Sequence, residues 1–313
     1  MPRRLPARSL IPPDPEASVR RMDVEGTDVG GVNIPALQSV VASNRGGRGV
    51  SALSHPLLWQ RASALCREAR SVLIATGFFI RSAEAPETDG PPGSVILGRA
   101  LALQGKKVRL TTDRRNFSAL AACSESVGGP PVLLMDEPAP SALEGIGLLV
   151  FLERPGRAGD GRYYNMRGED ISPVVVPLDD WASMAAALGI PVLGVGDGGN
   201  EAGMGALYEP LAQRLPHYAP FLSCVASTVC LPVDVSNWGG YALSALLSLP
   251  FGPWTGLNGG EEERMLEALR GQGAVDGVLG VSGCSVDGFG LSDLTQVSSR
   301  IRAWYAAQRD ILS

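Results

Sequence analysis

Histidine is nearly missing from this chain, with His55 and His217 the only two among 313 residues. Chemistry built around an imidazole triad therefore has little material, the more so because His55 stands directly before Pro56 in what reads as a helix entry. Cysteine is sparse and unpaired. Cys66, Cys123, Cys224, Cys230 and Cys284 are scattered with no CxxC spacing and no histidine beside them, which argues against a zinc site or a disulfide framework and points to a reducing cytoplasm. A basic surplus is absent as well. Lys and Arg number 27 against 32 Asp and Glu, a net charge of −5, so nucleic acid is not the expected partner. No apolar run is long enough to span a membrane, and the first residues lack a signal-peptide core, so no membrane partner is expected either. Arg3, Arg4 and Arg8 do give the start the basic, acid-poor look of a mitochondrial transit segment, although a disordered Pro/Arg tail is the preferred reading.

What is present is an ordinary globular composition, 45% hydrophobic and 19% charged, in a chain long enough to bury a substantial core. Residues 1–31 are rich in proline, glycine and charge without periodicity and read as a poorly ordered arm. Residues 32–313 read as a single α/β domain, a three-layer sandwich around a mostly parallel sheet. After two helical stretches, VNIPALQSVVASN and HPLLWQRASALCREAR, the pattern alternates. VLIATGFF, KKVRLTTD, PVLLMD, IGLLVFLERPG, IPVLGV and STVCLPV read as strands. GSVILGRALALQG, FSALAACSE, PLDDWASMAAALG, WGGYALSALLSL, EEERMLEALRGQG and the final LSDLTQVSSRIRAWYAAQRDIL read as helices. Near-continuous apolar strands mean that both sheet faces are covered. Asp179 or Asp180 is expected to cap the PLDDW helix, and another helix is expected from near Gly203.

In such sheets ligands bind beyond the carboxyl ends of the strands, so the loops after strands are where function is sought. Four stand out. GVGDGGNEAGMG places Asp197, Asn200 and Glu201 among glycines directly after IPVLGV. Asp197 and Glu201 are hard oxygen ligands suited to magnesium or manganese, and three polar groups exceed what a helix cap needs. Thr76 and Gly77 continue toward ETDGPPG, where Glu87, Thr88 and Asp89 precede a glycine-opened helix and make adjacent cation and anion sites; a cap at Thr88 or Asp89 is the alternative. LERPGRAGDGRYYNMRGEDIS offers Arg154, Arg162 and Tyr163 as a fork for a substrate carboxylate or phosphate, with a solvated charge run as the alternative. VDVSNWGGYAL carries Ser236 and Asn237, read as an N-cap or a substrate contact. Two VDG trios, at Asp276 and Asp287, look like turns and only weakly suggest extra ligands.

In this order the loops resemble the C-terminal domain of the D-glutamate cyclase family, on TGF, ETDGPPG, ERPGRAGDGRYYNMRGEDIS, GDGGNEAGMG and SNWGGYAL. The similarity runs from about Arg45 to the C-terminus. It implies conversion of D-glutamate to 5-oxo-D-proline with loss of water, an activity found in larger proteins with a hydratase-like domain ahead of this one. A stand-alone archaeal relative that hydrolyses phosphate esters with metal implies an α/β fold and a metal site. On these readings a divalent cation, Mg or Mn, sits on Glu87, Asp89, Asp197 and Glu201. Asp89, Asp197 and Glu201 are the catalytic candidates, with Glu201 or Asp197 the base. Thr76, Gly77, Thr88, Arg154, Arg162, Tyr163, Asn200 and Asn237 surround a small acidic metabolite, D-glutamate or a phosphate ester. A homo-oligomer stays open.

Overall fold

The computed structural model describes residues 31–312, so all but Gly31 of the expected N-terminal arm lies outside the described residues. Ten strands occur among them. Six form the central sheet: β1 (Ser71–Thr76), β4 (Lys107–Thr112), β5 (Val132–Leu134), β6 (Leu148–Leu152), β7 (Val192–Gly196) and β8 (Val229–Pro232). The other four make two small antiparallel ribbons, β2 (Phe79–Ile80) with β3 (Ala85–Pro86), and β9 (Ser285–Val286) with β10 (Phe289–Gly290). The central order is β5-β4-β1-β6-β7-β8, and every pairing is parallel. Successive connections run outward from β1 to β5, then return past β1 to start β6. The chain thus reverses direction between β1 and β6, and a crevice opens there beyond their carboxyl ends.

Both faces of the sheet are covered, as its apolar strands require. Val72, Ile74, Val150, Leu193 and Leu231 enter a large core with helices α1 (Ile34–Val41), α2 (Pro56–Glu68), α3 (Pro91–Leu103), α4 (Arg114–Ser126), α7 (Ser236–Phe251), α8 (Glu261–Gly271) and α9 (Leu291–Leu312). Leu73, Ala75, Leu149 and Phe151 point the other way, into a smaller core closed by α5 (Trp181–Ala187). α6 (Tyr208–Arg214) packs Leu211 with Val50, Met204 and Cys230 at one side. Among the described residues no helix is long and apolar enough to cross a membrane.

Three local expectations are corrected. The first strand stops at Thr76 because Gly77 turns to φ +103 and gives its amide to the Glu153 carbonyl. Asp180 does not cap α5, and the Asp179 carboxylate instead accepts from the Tyr163 hydroxyl at 2.6 Å and the Arg157 amide at 3.0 Å. Only a 3-10 turn, Gly205–Leu207, follows the GDGG loop before α6 begins at Tyr208.

Helices α3 and α7 are buried over almost their whole circumference, which suits their uniformly apolar sequences. They cross in backbone contact. A methyl group on Gly93 would lie 2.7 Å from the Asn237 Cα, and one on Gly240 would lie 2.7 Å from the Gly93 carbonyl carbon. Backbone cannot step aside as a flexible side chain can. Gly240→Ala is therefore expected to lower unfolding free energy by about 1–3 kcal/mol through overpacking, read from denaturant midpoints; an unchanged midpoint would contradict this crossing.

Candidate active site

α3 and α7 begin side by side at the crevice, and neither supplies its own side-chain cap. Each caps the other. Asp89, just ahead of α3, accepts the Asn237 amide on Oδ1 at 2.8 Å and the Ser236 amide on Oδ2 at 2.9 Å, the first-turn donors of α7. Asn237 Oδ1 in turn accepts the Gly90 and Gly93 amides at 3.0 and 2.8 Å, and its Nδ2 donates to the Thr88 carbonyl at 3.1 Å. The positive ends of two helix dipoles therefore face one small volume, which favours anionic side chains there.

Two more carboxylates enter from the strand ends. Glu153 follows β6 at φ +48, a left-handed conformation costly for a residue with a side chain, and its Oε2 accepts the Ser236 hydroxyl at 2.6 Å. Asp197 follows β7, and its Oδ2 accepts the same Ser236 amide at 3.1 Å. Ser236 thus touches three acids. One carboxylate oxygen each from Asp89, Glu153 and Asp197 lies within 4.8 Å of the others, with all three residues buried. Carboxylate oxygens are the ligands that Mg²⁺ and Mn²⁺ prefer, so this donor set fits a divalent cation.

Glu87 and Asp287 enlarge the cluster. Glu87 borders the cavity with its carboxylate over Gly277, where a β-carbon would overlap it. Asp287 sits at φ +52 and Gly288 at φ +82 in the two-residue turn of the β9–β10 hairpin, as a type I′ turn requires. Against these five acids stands one guanidinium, Arg48, which pairs with Asp197 through Nη1 and with Asp287 through Nη2 at 3.0 Å. Arg48 rides a pinned loop, since Ser43 and Asn44 both give their amides to the Asp234 carboxylate at 2.8 Å.

Carboxylates consequently outnumber guanidinium groups in a buried volume, which raises the carboxyls' affinity for protons. Burial, then the Asp287 charge, pushes Asp89 up to about 7. Burial, followed by neighbouring acids, raises Glu87 and Glu153 well above the usual carboxylate range. Asp197 and Asp287 are raised by burial too, partly opposed by Arg48. A bound cation would relieve the same excess. A cavity of about 420 Å³ opens onto this floor and is lined further by Phe78, Met166, Ile171 and Asn200.

The expected residues separate into groups. Asp89 and Asp197 come together, and Glu87 lies at the same cavity. Glu201 does not offer free oxygens: Oε1 accepts the Asp197 and Gly198 amides at 3.1 and 2.6 Å, and Oε2 the Gly199 amide at 2.7 Å. It organises the glycine turn. Gly196 makes room for it, because a methyl group there would lie 2.7 Å from Glu201 Oε2. Arg154 is buried in the scaffold, bonded to Asp113 at 2.5 Å and to the Gly77 and Val176 carbonyls, so it cannot reach for a substrate. Arg162 is exposed, 3.7 Å from Asp170, and Tyr163 is held by Asp179. Thr76 and Gly77 sit beneath the floor, and Thr88 donates to the Ser285 carbonyl at 2.8 Å. Asn200 reaches the cavity while its Nδ2 holds the Tyr164 carbonyl at 2.8 Å. Asn237 is a cap, though of α3 rather than of its own helix.

Glu153, Arg48 and Asp287 are the members that sequence reading passed over as site residues. Glu153 had one usable signal, its place immediately after a buried strand. Of the two VDG trios, Asp276 remains a turn residue, accepting from Val278, Leu279 and Gly288 amides.

The family model described as D-glutamate cyclase-like, C-terminal, matches residues 37–302. A human relative named D-glutamate cyclase, mitochondrial, is 33% identical over 300 aligned residues, covering 82% of this chain and 49% of the relative. The chain therefore spans about half the length of that relative. A solved exopolyphosphatase-related protein from Bacteroides fragilis is similar at 9% identity with a TM-score of 0.42, over 83% of this chain and 60% of that one, too slight a likeness to bear on function.

The raised carboxyls make stability depend on pH in a fixed direction. For Asp89, near 3.9 when unfolded and about 7 when folded, stability is full below the unfolded value and is lost as pH rises toward 7. In EDTA, the melting temperature of wild type relative to Asp89→Asn is expected to fall by several degrees between pH 5 and pH 8. Saturating Mg²⁺ or Mn²⁺ should abolish that fall, and a wild-type advantage growing with pH in EDTA would refute the buried-charge account.

Proposed function

The chain belongs to the D-glutamate cyclase-like, C-terminal family, and we propose that it is a lyase that closes D-glutamate into 5-oxo-D-proline with release of water. The observation that carries this reading is the convergence of Asp89, Glu153 and Asp197 beneath a small cavity at the sheet's switch point. A Mg²⁺ or Mn²⁺ ion held by these three would polarise the substrate γ-carboxylate and take up charge on the departing oxygen.

The remaining work falls to the chain itself. The α-nitrogen must shed two protons as it becomes an amide, and the γ-oxygen must gain two to leave as water. Glu87 suits this exchange, because its carboxylate borders the cavity, is unheld by any hydrogen bond among the described residues, and has its proton affinity raised by burial. In its ionised form it takes one proton from the substrate ammonium, the freed amine attacks the γ-carbon, the nitrogen gives up its second proton by the same carboxylate, and both protons pass to the departing oxygen, which leaves as water. Arg48 orients Asp197 and Asp287 meanwhile and opposes the rise in their proton affinity. Ser236 holds the three floor acids in place and takes no proton.

Purified protein with Mg²⁺ or Mn²⁺ is expected to form 5-oxoproline from D-glutamate, followed by chromatography. Asp89→Asn and Asp197→Asn should each lower turnover by about 100-fold or more, and Glu87→Gln should lower kcat while sparing metal binding measured by calorimetry. The same carboxylates could instead serve metal-dependent hydrolysis of a phosphate ester. Absence of 5-oxoproline together with EDTA-sensitive phosphate release from small phosphomonoesters would replace the cyclase reading with that one.

A further inference from the structure

The cavity has two electrical ends. Its buried floor carries Glu87, Glu153 and Asp197, whereas Arg81 and Arg167 line it from exposed positions at the mouth. The other arginines around the site are committed to acids: Arg48 to Asp197 and Asp287, Arg154 to Asp113, Arg157 to Asp180. Arg81 and Arg167 are not. Among the described residues neither forms a salt bridge; each guanidinium donates to a backbone carbonyl, and the charge of Arg81 adds to what holds Asp170 ionised. Arg81 Nη1 donates to the Asp170 carbonyl at 2.5 Å, and Arg167 Nη2 to the Val278 carbonyl at 3.1 Å.

They come from two segments that meet, Arg81 from the 3-10 turn Arg81–Ala83 and Arg167 from the loop after β6. Tyr164 and Asp170 bridge across a tight turn, and Asn165 Oδ1 fixes its tip by accepting the Arg167 and Glu169 amides at 2.9 and 3.0 Å. Arg81 grips the base of that turn while Arg167 projects from its tip. The Asp170 carboxylate accepts the Ser172 amide at 2.9 Å and lies 3.7 Å from Arg162, so Arg81 keeps most of its donors. Guanidinium forks on a rigid support suit a planar carboxylate, and little ordering entropy opposes binding.

We infer that Arg81 and Arg167 bind the α-carboxylate of an amino-acid substrate whose ammonium and side-chain carboxyl face the acidic floor. The inference rests on the cyclase reading above and adds to it a specificity determinant. A zwitterion lying along the cavity puts its ammonium against the negative end and its α-carboxylate against the positive end. A ligand with the same amine and carboxyl but no α-carboxylate would leave the arginine pair unused.

4-Aminobutyrate is that ligand, since it keeps the amine, the chain and the distal carboxyl of glutamate. Cyclisation kinetics and calorimetric binding of D-glutamate and 4-aminobutyrate to metal-loaded protein are compared for wild type, Arg81→Gln, Arg167→Gln and the double variant. In the double variant D-glutamate should bind about ten- to hundredfold more weakly, the size expected for charged hydrogen bonds, with kcat within about twofold of wild type. Binding of 4-aminobutyrate should not change, and Arg→Lys at either position should restore part of the D-glutamate affinity. Melting temperatures confirm that the variants are folded. Equal weakening of both ligands, no weakening of either, or a D-glutamate-selective loss appearing in Arg48→Lys instead, would overturn the assignment. A wild type that neither binds nor converts D-glutamate overturns the cyclase reading together with this inference, whereas conversion without the ligand-selective loss overturns this inference alone.

Discussion

Ser236 is the residue on which the site turns. Its amide donates to Asp89 and Asp197 and its hydroxyl to Glu153, so one residue at the start of α7 binds carboxylates delivered by three separate segments. Alone, three buried acids would repel one another and drive the strand ends apart. A helix N-terminus offers partial positive charge and unpaired amides, and here it is shared between them. The reciprocal caps of Asp89 and Asn237 then lock α3 to α7, while Gly93 and Gly240 let those helices approach until backbone meets backbone. Fold and site are in this sense one interaction. Whatever loosens the α3–α7 crossing loosens the acids, and whatever removes Asp89 leaves the Asn237 amide without its acceptor and the Ser236 amide with Asp197 alone.

The arrangement is deliberately unbalanced in charge. Five carboxylates around one guanidinium exceed what the helix ends can compensate, which is why their protons are held so tightly. Strain accompanies the charge: Glu153 is held left-handed at a strand end, and Asp287 is delivered by a hairpin turn that also demands positive φ. A donor set of this kind fits a cationic group. A scaffold selected only for stability would place apolar residues there.

Much of this was legible in the sequence, and the illegible part has a common cause. Strand and helix positions follow from local periodicity, and the pairing of ETDGPPG with GVGDGGNEAGMG follows from the rule that ligands gather at strand ends. Roles that depend on which group a side chain meets across the molecule do not follow. Glu201 has the right chemistry for a ligand, yet the amides two to four residues before it consume both of its oxygens. Asn237 looks like a cap and is one, but for a helix 144 residues away. Arg154 stands first in a run of charges and vanishes into the scaffold, while the Glu153 beside it turns inward. Arg48 stands 149 residues from the acid it neutralises, in a glycine-rich loop with no local pattern to distinguish it.

The elements that build the cavity also differ in how freely they can change. Asp89, Glu153, Asp197 and Ser236 hold one another and two helix ends, so replacing any one disturbs the rest. The Arg81 and Arg167 guanidinium groups, unlike that of Arg48, each donate to one backbone carbonyl and to none of the floor acids. Substitutions there need not unseat the floor. Charge and shape are coupled to the packing of the sheet and its helices at the acidic floor and are freer of it at the mouth of the cavity. Gly196 and Gly198 belong to the first class: they make room for Glu201, and Glu201 holds Asp197 where Ser236 can reach it.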